Sequence, residues 1–508
     1  MPGNRDIEIA WKYHNATKHS YASIRNNPHA LDWPNKPLLY KIYPTLEVTR
    51  LPREARQTGV SALSALSSTG RRTPRSATLN SETLAQLLFL SAGITKSKKY
   101  NGQEIFFRAA ACTGALYEIE LYIICGDLTD LAAGVYHFGV AEFGLRQLRA
   151  GDYRKTLAKS IGNSKLMLEA PLTIVCTGNY WRNAWKYQAR TYRHFGWDNG
   201  TILANLLAVS TALGLPAQVL TGFIDHGVNK LLDLDTQREV SFSMVSLGKG
   251  PSSTQKLRSV EPLELPLLPL SKTEVDYPLM REMHEASSLI AADELRAYTK
   301  VSGPPSSSAT QAKLIPLPRV SESELPNDVI EEVILRRGST RHFAQVPITL
   351  PQLSTILELA TQDLPCDFAK APGRPLNDLY LIANNVEGLA SGSYFYVRKQ
   401  HSLELLRHGN FRKTSGYLGL EQQLPSDASV NIFFLADLAG ILSRYGNRGY
   451  RATQLEAGIV GGKLYLAAYA QKLGASGLTF YDDDVVQFFS PHGAGKTAIF
   501  LVALGKSV

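Results

Sequence analysis

Apolar and polar residues along this chain form two similar series of predicted elements. Short apolar runs rich in β-branched and aromatic residues predict strands. They lie at 119–126, 134–138, 172–178 and 241–248, and again at 378–384, 392–396, 430–437 and 498–505. Helical spacing of leucine, isoleucine and alanine predicts amphipathic helices from Leu84 to Ala92 and from Leu353 to Ala360. Two longer stretches, 200–215 and 458–475, are apolar nearly all round, which indicates buried helices.

The second series repeats the first at a fixed distance. Residues 121–137, LYIICGDLTDLAAGVYH, align with residues 379–395, LYLIANNVEGLASGSYF, so the offset is 379 − 121 = 258. Solenoid repeats run to about 20–50 residues, so this one is a duplicated domain. Because helices and strands are intermixed in each half, we predict two tandem α+β domains that form a pseudo-dimer within one chain.

Composition excludes several classes of protein. No apolar run approaches the ~20 residues that span a bilayer, and the N-terminus lacks a secretory signal. The four cysteines lie far apart, which argues against a metal or disulfide framework and predicts a cytoplasmic location. The net charge of +9 is scattered, so it favours an ordinary basic surface over nucleic-acid binding, with a polyanionic cofactor as the next interpretation.

Two matching arginine turns precede the amphipathic helices. The first contains Arg71, Thr73 and Arg75, and the second contains Arg337, Ser339 and Arg341. Both have the form R-x-[ST]-x-R. An arginine fork pairs bidentately with phosphate oxygens, and a hydroxyl between two arginines adds a further contact. A solvated basic turn is the alternative interpretation of either turn taken alone.

Further motifs follow the first turn in a fixed order. A small-residue loop, Cys112–Tyr117, leads into a strand, and a small-residue turn lets backbone N–H groups approach a flat or anionic ligand. Lys186-Tyr187 opens a K-Y-x-x-R-x-Y-R segment that ends at Arg193, and Asp198-Asn199-Gly200 begins the buried helix. This ordered set resembles the nitroreductase-like flavoproteins, and within them the SagB-type dehydrogenases, over nearly the whole chain, twice.

The resemblance implies FMN bound between the two copies of the fold, in two composite sites. The first site would take Arg337, Ser339, Arg341, Glu456, Gly458 and Lys506 from the second half, and Thr113, Gly114, Ala115, Lys186 and Tyr187 from the first. The second site would take Arg71, Thr73, Arg75, Asn199 and Gly200, with residues 371–374 as its other wall. That wall departs from the family pattern, because the G-A-L-Y element is missing. We therefore expect the first site to work and the second to be empty or to hold a less competent flavin.

Lys186 and Tyr187 are the catalytic candidates that the resemblance implies. In azoline-oxidising relatives such a pair handles the proton removed while hydride passes to the flavin. Burial near arginines would lower the pKa of a lysine and suit it to this task. The alternative is a surface lysine beside a tyrosine that packs. Asp482–Asp484 is expected to be an acidic turn, with no metal site, and residues 493–497 lack the first glycine of a phosphate-binding loop.

Together these features predict an FMN-dependent oxidoreductase acting on a small or peptide-derived organic substrate. NAD(P)H is the alternative electron donor, and further homo-oligomerisation stays open. The expected division is a first domain at 1–250, a linker and helical segment at 251–312 and a second domain at 313–508. The rival hypothesis is a flavin-free scaffold that binds a peptide or a partner protein. No nucleic-acid or membrane partner is expected.

Overall fold

The computed structural model describes residues 3–26, 28–53, 56–67, 77–100, 103–162, 164–301, 313–362, 364–369 and 375–508. Within these residues, none of the helices combines the length and the apolar character needed to cross a bilayer. The predicted arginine turn at Arg71, Thr73 and Arg75 lies outside the described residues, and so do residues 371–374.

The first half contains nine strands and nine α-helices among its described residues. The strands are β1 (Thr49–Arg50), β2 (Ile94–Tyr100), β3 (Gln103–Arg108), β4 (Ile119–Cys125), β5 (Gly134–Gly139), β6 (Gly144–Ala150), β7 (Leu172–Asn179), β8 (Ala217–Leu220) and β9 (Glu239–Leu247). The helices are α1 (Glu8–Ala16), α2 (Tyr21–Asn26), α3 (Ala62–Ser67), α4 (Ser81–Ala92), α5 (Arg154–Ala158), α6 (Ser164–Glu169), α7 (Tyr180–Tyr187), α8 (Thr191–Ala212) and α9 (Asp225–Leu232).

The second half has the same kinds of elements in a similar order. Its strands are β10 (Leu314–Pro316), β11 (Ile348–Thr349), β12 (Asp378–Ala383), β13 (Val386–Glu387), β14 (Gly392–Val397), β15 (Ser402–His408), β16 (Val430–Ala436), β17 (Gly474–Leu478) and β18 (Thr497–Gly505). Its helices are α10 (Pro278–Ala286), α11 (Ala292–Thr299), α12 (Ile330–Arg336), α13 (Leu350–Ala360), α14 (Arg412–Leu418), α15 (Gln423–Asp427), α16 (Leu438–Tyr445), α17 (Asn447–Ala470) and α18 (Asp482–Phe489).

Each half folds around an antiparallel seven-stranded sheet. The strand order is β1-β6-β5-β4-β7-β9-β8 in the first and β10-β15-β14-β12-β16-β18-β17 in the second. The two orders correspond strand for strand, and the inner pairs have matching registers, such as Leu121 opposite Cys176 and Leu379 opposite Phe434. The fold class predicted from the repeat, two α+β copies in one pseudo-dimer, is therefore confirmed.

The central helices α8 and α17 pack against each other and join the two halves. Nearly every residue of both helices is buried, as the apolar pattern predicts. At their crossing, a Cβ atom placed on Gly458 would lie 2.6 Å from the carbonyl oxygen of Gly196, and one on Gly200 would clash with the backbone of Gly458. Only glycine allows so close an approach of two backbones. Both helices begin earlier than predicted, because the Tyr-Arg segments before them are helical too.

Reciprocal buried ion pairs connect the halves on both sides of this crossing. Asp482 accepts hydrogen bonds from Arg190 at 3.0 Å and Arg193 at 2.6 Å, across the two halves. In the opposite direction, Asp225 of the first half accepts from Arg448 at 2.9 Å and Arg451 at 2.8 Å. The expectation of a plain acidic turn at Asp482 is therefore wrong, since this carboxylate begins α18 and is buried.

Local signals identified helix starts better than sheet edges. The predicted caps are confirmed: Asn80 accepts from the Thr83 amide, and Thr349 forms a capping box with Gln352. The β2–β3 hairpin was not predicted, since the segment ITKSKKY of β2 is too polar to read as a buried strand. The expected boundaries at 250 and 313 stay predictions.

Candidate functional site

A strained loop of the first half forms one wall of the candidate site. In Thr113–Tyr117 the backbone φ is positive at Gly114 (64°), Ala115 (53°) and Tyr117 (53°). Such angles cost energy in residues other than glycine, so surrounding contacts must fix them. Asp198 of α8 anchors the start of the loop: its carboxylate accepts from the Thr113 amide at 2.8 Å and from the Thr113 hydroxyl at 2.9 Å.

The end of α7 places Lys186 and Tyr187 beside this loop. A Cβ atom on Gly114 would lie 2.8 Å from the Tyr187 hydroxyl oxygen, so the glycine lets the loop pack directly on the phenol. The ammonium of Lys186 lies 5.3 Å from the centroid of the Tyr187 ring. The helix stops here, because Gln188 adopts a φ of 49°. Lys186 is exposed and Tyr187 half-buried, so both can reach a ligand.

The arginine turn of the second half forms the opposite wall. Arg337 is buried, and its Nε donates to the carbonyl of Ala109 in the first half at 2.9 Å. Lys96 of β2 in turn donates to the Arg337 carbonyl at 2.6 Å. Ser339 lies 3.3 Å from the hydroxyl of Tyr465, and Arg341 is exposed. We call the space between this turn and the Thr113–Tyr117 loop the first cleft.

Positive charge from both halves converges on the first cleft. Partial burial, then Arg341 and then Lys36, lower the pKa of Lys186 from its ordinary value. The effect requires the three cations to lie near one another. Among the described residues neither Lys186 nor Arg341 has a carboxylate at ion-pair distance. Unneutralised cations so close together indicate a place for an anion.

The second half also contributes a buried hydroxyl without a partner. Thr479 follows β17, the strand whose Ala475 carbonyl accepts from the Thr340 amide of the arginine turn at 2.9 Å. The next residue, Phe480, lies against the first half, with its ring 5.5 Å from the guanidinium of Arg190. Within the described residues the Thr479 hydroxyl oxygen is buried and has no hydrogen-bond partner. Buried polar groups normally have a hydrogen-bond partner, so this hydroxyl is a candidate for contact with a bound molecule.

These groups suit the chemistry of FMN. A phosphate would find the guanidinium of Arg341 and the hydroxyl of Ser339, while a flat ring would find the small residues of the strained loop and the phenol of Tyr187. One end of the first cleft thus offers cations, and the other end offers hydrogen-bond donors and small side chains. The described residues therefore fit such a cofactor.

A half-buried thiol and two buried carboxyl groups lie behind the strained loop. The Cys112 thiol donates to Asp198 at 3.2 Å and lies 3.6 Å from Glu118. Burial and then Asp198 raise the pKa of Glu118 and that of the Cys112 thiol. Three ligand atoms lie close enough for a metal ion, but the raised pKa of the thiol opposes the thiolate that a metal prefers. Their mutual hydrogen bonds account for the cluster as support for the loop.

Several predicted cofactor residues have structural roles instead. Glu456 accepts from the amides of Leu376 at 3.0 Å and Asn377 at 2.8 Å, so it holds the second half's own loop, as Asp198 does in the first half. These contacts differ from the predicted role of Glu456 in the first site, because the carboxylate is engaged by two amides of its own half. Gly200 and Gly458 each pack against the backbone of the opposite central helix, so neither leaves room for a ligand.

The remaining predicted residues fall into three groups. Asn199 is fully buried and donates to the Ser243 hydroxyl at 2.7 Å, inside the first half. Lys506 is exposed, and its carbonyl accepts from the Ala344 amide just after the arginine turn. Arg71, Thr73 and Arg75 lie outside the described residues. The sequence did carry a signal for the missed Asp225 and Asp482, since each follows a strand at nearly the same place in the repeat.

Several known proteins are similar to this chain. A solved structure from Anabaena variabilis, named as a nitroreductase by similarity, has a TM-score of 0.78 and 25% identity, covering 98% of this chain and 99% of that chain. A Methanocaldococcus jannaschii protein named in the same way is 28% identical over 177 residues, 34% of this chain and 86% of the relative. A third, solved from Ralstonia eutropha, covers 45% of this chain and 100% of its own length at 19% identity, with a TM-score of 0.33.

Two corresponding α+β halves are joined within one chain, and cations from both halves lie at the first cleft. The sequence pattern of the nitroreductase family matches residues 71–249 and 334–505, which is more than half of the chain. The chain therefore belongs to the nitroreductase family and is an enzyme. Membership counts against the flavin-free scaffold considered from the sequence.

Proposed function

We propose that this chain is an FMN-dependent oxidoreductase that transfers two electrons between the flavin and a small or peptide-derived organic substrate in the first cleft. One observation carries the proposal: Arg341 of one half lowers the pKa of Lys186 of the other beside a strained loop of small residues, and within the described residues neither cation has a carboxylate at ion-pair distance. When bound, FMN would supply the redox chemistry, and the chain would supply binding, orientation and proton transfer.

The second half would hold the phosphate end. Arg341 and Ser339 face the cleft from the arginine turn, and Lys506 follows β18 next to the same turn. Arg337 is committed to the carbonyl oxygens of Ala109 and Arg108, so its role is to fix the turn against the first half. Thr113, Gly114 and Ala115 would lie against the flat ring.

Lys186 and Tyr187 would handle the proton of the substrate. The lowered pKa of Lys186 makes its neutral amine, the form that accepts a proton, more accessible near neutral pH. Burial raises the pKa of Tyr187, which keeps its phenol protonated and able to donate a hydrogen bond. This division of roles supports SagB-type dehydrogenation of a peptide-derived heterocycle as the finer proposal. Reduction of a nitro compound or quinone with NAD(P)H is the variant to test beside it.

Flavin content tests the proposal directly. The flavin-to-protein ratio of the purified chain is measured after saturation with FMN and gel filtration, for the natural sequence and for Arg341→Ala. We expect Arg341→Ala to lose most of the flavin, and Arg296→Ala, an exposed arginine of α11, to keep it. A colourless natural chain that takes up no FMN would contradict the proposed function. Equal retention by both variants would contradict the assigned phosphate site.

The organisation of the chain belongs to the same proposal. We infer that fusion of two copies of one domain produced the halves, with a first domain at 1–250, a connecting segment at 251–312 and a second domain at 313–508. Both walls of the first cleft are present in one chain, so further oligomerisation is not needed to complete it. A cytoplasmic location remains the expectation.

A further inference from the structure

Within the described residues, Thr221 in the first half has hydrogen-bond partners for its hydroxyl, whereas the matching hydroxyl of Thr479 has none. Thr221 follows β8 as Thr479 follows β17, 479 − 221 = 258 residues apart. The Thr221 hydroxyl lies 2.8 Å from the hydroxyl of Tyr298 and 3.0 Å from a carboxylate oxygen of Asp367. The same carboxylate accepts from the amides of Thr221 at 2.9 Å and Gly222 at 2.7 Å. An anion supplied by the chain therefore occupies this place.

Asp367 is held there by backbone pairing with the first half. The Val219 amide donates to the Pro365 carbonyl at 2.7 Å, and the Asp367 amide donates to the Val219 carbonyl at 3.1 Å. Cys366 pairs with Val219 in parallel, so this segment of the second half extends the edge of the first sheet. Phe368 is fully buried beside it. The segment is thus part of the packed interior of the protein and is not a surface loop.

The tyrosine that matches Tyr187 is buried in the same contact. Tyr445 is 258 residues further along, and its hydroxyl donates to the Phe368 carbonyl at 2.7 Å. Its ring centroid lies 5.6 Å from that of Tyr298, in an edge-on contact. Tyr187 is half-buried at the first cleft, whereas Tyr445 is only 1% exposed. A group so placed cannot meet a substrate.

We propose that the second cleft, between Thr221 and Tyr445, is filled by the chain's own segment Pro365–Phe368, so that each chain binds one flavin. The inference rests on the proposed function, since it counts the sites of that cofactor. A second flavin would have to displace a buried carboxylate with three hydrogen bonds to Thr221 and Gly222, together with the aromatic contacts around it. It would also meet negative charge where the first cleft presents a free hydroxyl.

A matched pair of substitutions tests the inference. Thr479→Val and Thr221→Val remove the same hydroxyl at equivalent positions and keep the side-chain shape. FMN affinity is measured by fluorescence titration, and stability by thermal melting of the FMN-free protein. We expect one FMN per natural chain at saturation. Thr479→Val should weaken FMN binding about tenfold, as the loss of one hydrogen bond does, with melting unchanged. Thr221→Val should lower the melting temperature and leave FMN binding unchanged.

Two results would overturn the inference: binding of two FMN per natural chain, or a loss of FMN affinity in Thr221→Val equal to that in Thr479→Val. Hydrogen–deuterium exchange of the FMN-free chain gives a readout that does not depend on the cofactor. The amides of Thr221 and Gly222 should exchange more slowly than those of Thr479 and Phe480. Equal exchange would show that the second cleft is not filled. A chain that binds no FMN but shows the expected exchange would refute the proposed function and leave the filled cleft standing.

Discussion

Lys186 and Tyr187 are neighbours in the sequence with different surroundings. Two other cations lower the pKa of the lysine, while the phenol packs on Gly114. Neither side chain takes part in the buried ion pairs that join the two halves. Each can therefore be substituted without disturbing that contact.

Replacement of Lys186 should remove the proposed base and leave binding largely intact. We expect Lys186→Gln to lower kcat by about 10²–10⁴-fold, the usual contribution of a general acid or base, with the FMN content preserved. Steady-state kinetics beside absorbance at the flavin band measures both quantities. Lys155→Gln, at an exposed lysine of α5, is the control and should behave as the natural chain. A variant with undiminished kcat would remove Lys186 from the mechanism.

The charge of Lys36 should be visible in the pH dependence of activity. Because this cation lowers the pKa of Lys186, Lys36→Met should raise that pKa towards the ordinary value. Activity that needs the neutral amine would then rise at higher pH than in the natural chain. A pH profile of kcat/KM measures the shift. An unchanged or lowered apparent pKa would show that a different group controls the profile.

At the scale of single residues, the sequence indicated candidate residues more readily than it indicated their contact partners. The arginine turn and Lys186 could be proposed as parts of one site because each belongs to a motif that is visible within a short segment, and their place in that site stays a prediction. Glu456 could not be placed in the same way. Its contacts, the amides of Leu376 and Asn377, belong to a segment about 80 residues away, and nothing in a helix pattern states which loop an acidic residue will face.

The elements that join the halves are the central helices and the helices that begin at Asp225 and Asp482. Asp482 binds two arginines of the other half while it is 2% exposed. Removal of one partner from such a group leaves buried charge without compensation, and that loss costs far more than the loss of an exposed pair.

Two adjacent aspartates allow a matched test of that contact. Asp482→Asn should lower the free energy of unfolding by about 3–5 kcal/mol, because Arg190 and Arg193 stay buried without their carboxylate. Asp483→Asn should cost under ~1 kcal/mol, since Asp483 pairs with Lys18 at the surface. Urea denaturation of both variants gives the two values. Similar losses in the two variants would contradict the importance of the buried pair.

Elements with a strong local pattern were predictable, and those defined by pairing were not. The inner strands and the amphipathic helices α4 and α13 follow from apolar spacing, because that spacing records burial. The short edge strand β8 and the polar hairpin β2–β3 depend on which neighbour is available. The same limit applies to Pro365–Phe368, whose place on the edge of β8 is set by the other half.

The molecule as a whole buries histidines in contacts between its halves. The Nδ1 of His14 is hydrogen-bonded to Tyr450 at 3.2 Å, and that of His284 to Tyr192 at 3.3 Å. Burial, then the charge of Arg193 for His14 and of Arg451 for His284, lower the pKa of each imidazole well below its ordinary value. Both are therefore neutral in the folded chain.

Stability should fall in two steps as the solution becomes acidic. Below the ordinary histidine pKa of about 6.5 the unfolded chain binds protons that the folded chain does not, so acid favours unfolding. A second loss follows below about pH 4, since Asp225 has a lowered pKa of about 2 and must stay ionised beside its arginines. Melting temperatures between pH 7.5 and 3 measure both steps.

The histidine step has its own control. The double variant His14→Gln and His284→Gln should melt at a lower temperature than the natural chain at pH 7.5, but with a weaker decline between pH 7 and 5. His408→Gln, at an exposed position, should keep the natural slope. A double variant with the full slope would assign the effect to other groups.

Joining the two halves by a covalent bond also changes what a single mutation can do. In a symmetric dimer every substitution appears twice, so a side chain that blocks one catalytic pocket blocks the other as well. Here Asp367 lies in the second half alone, so a substitution at Asp367 changes one cleft and leaves the other unaltered. Protein engineers gain the same freedom: residues around Lys186 can be varied one lobe at a time, against an unaltered counterpart in the same molecule.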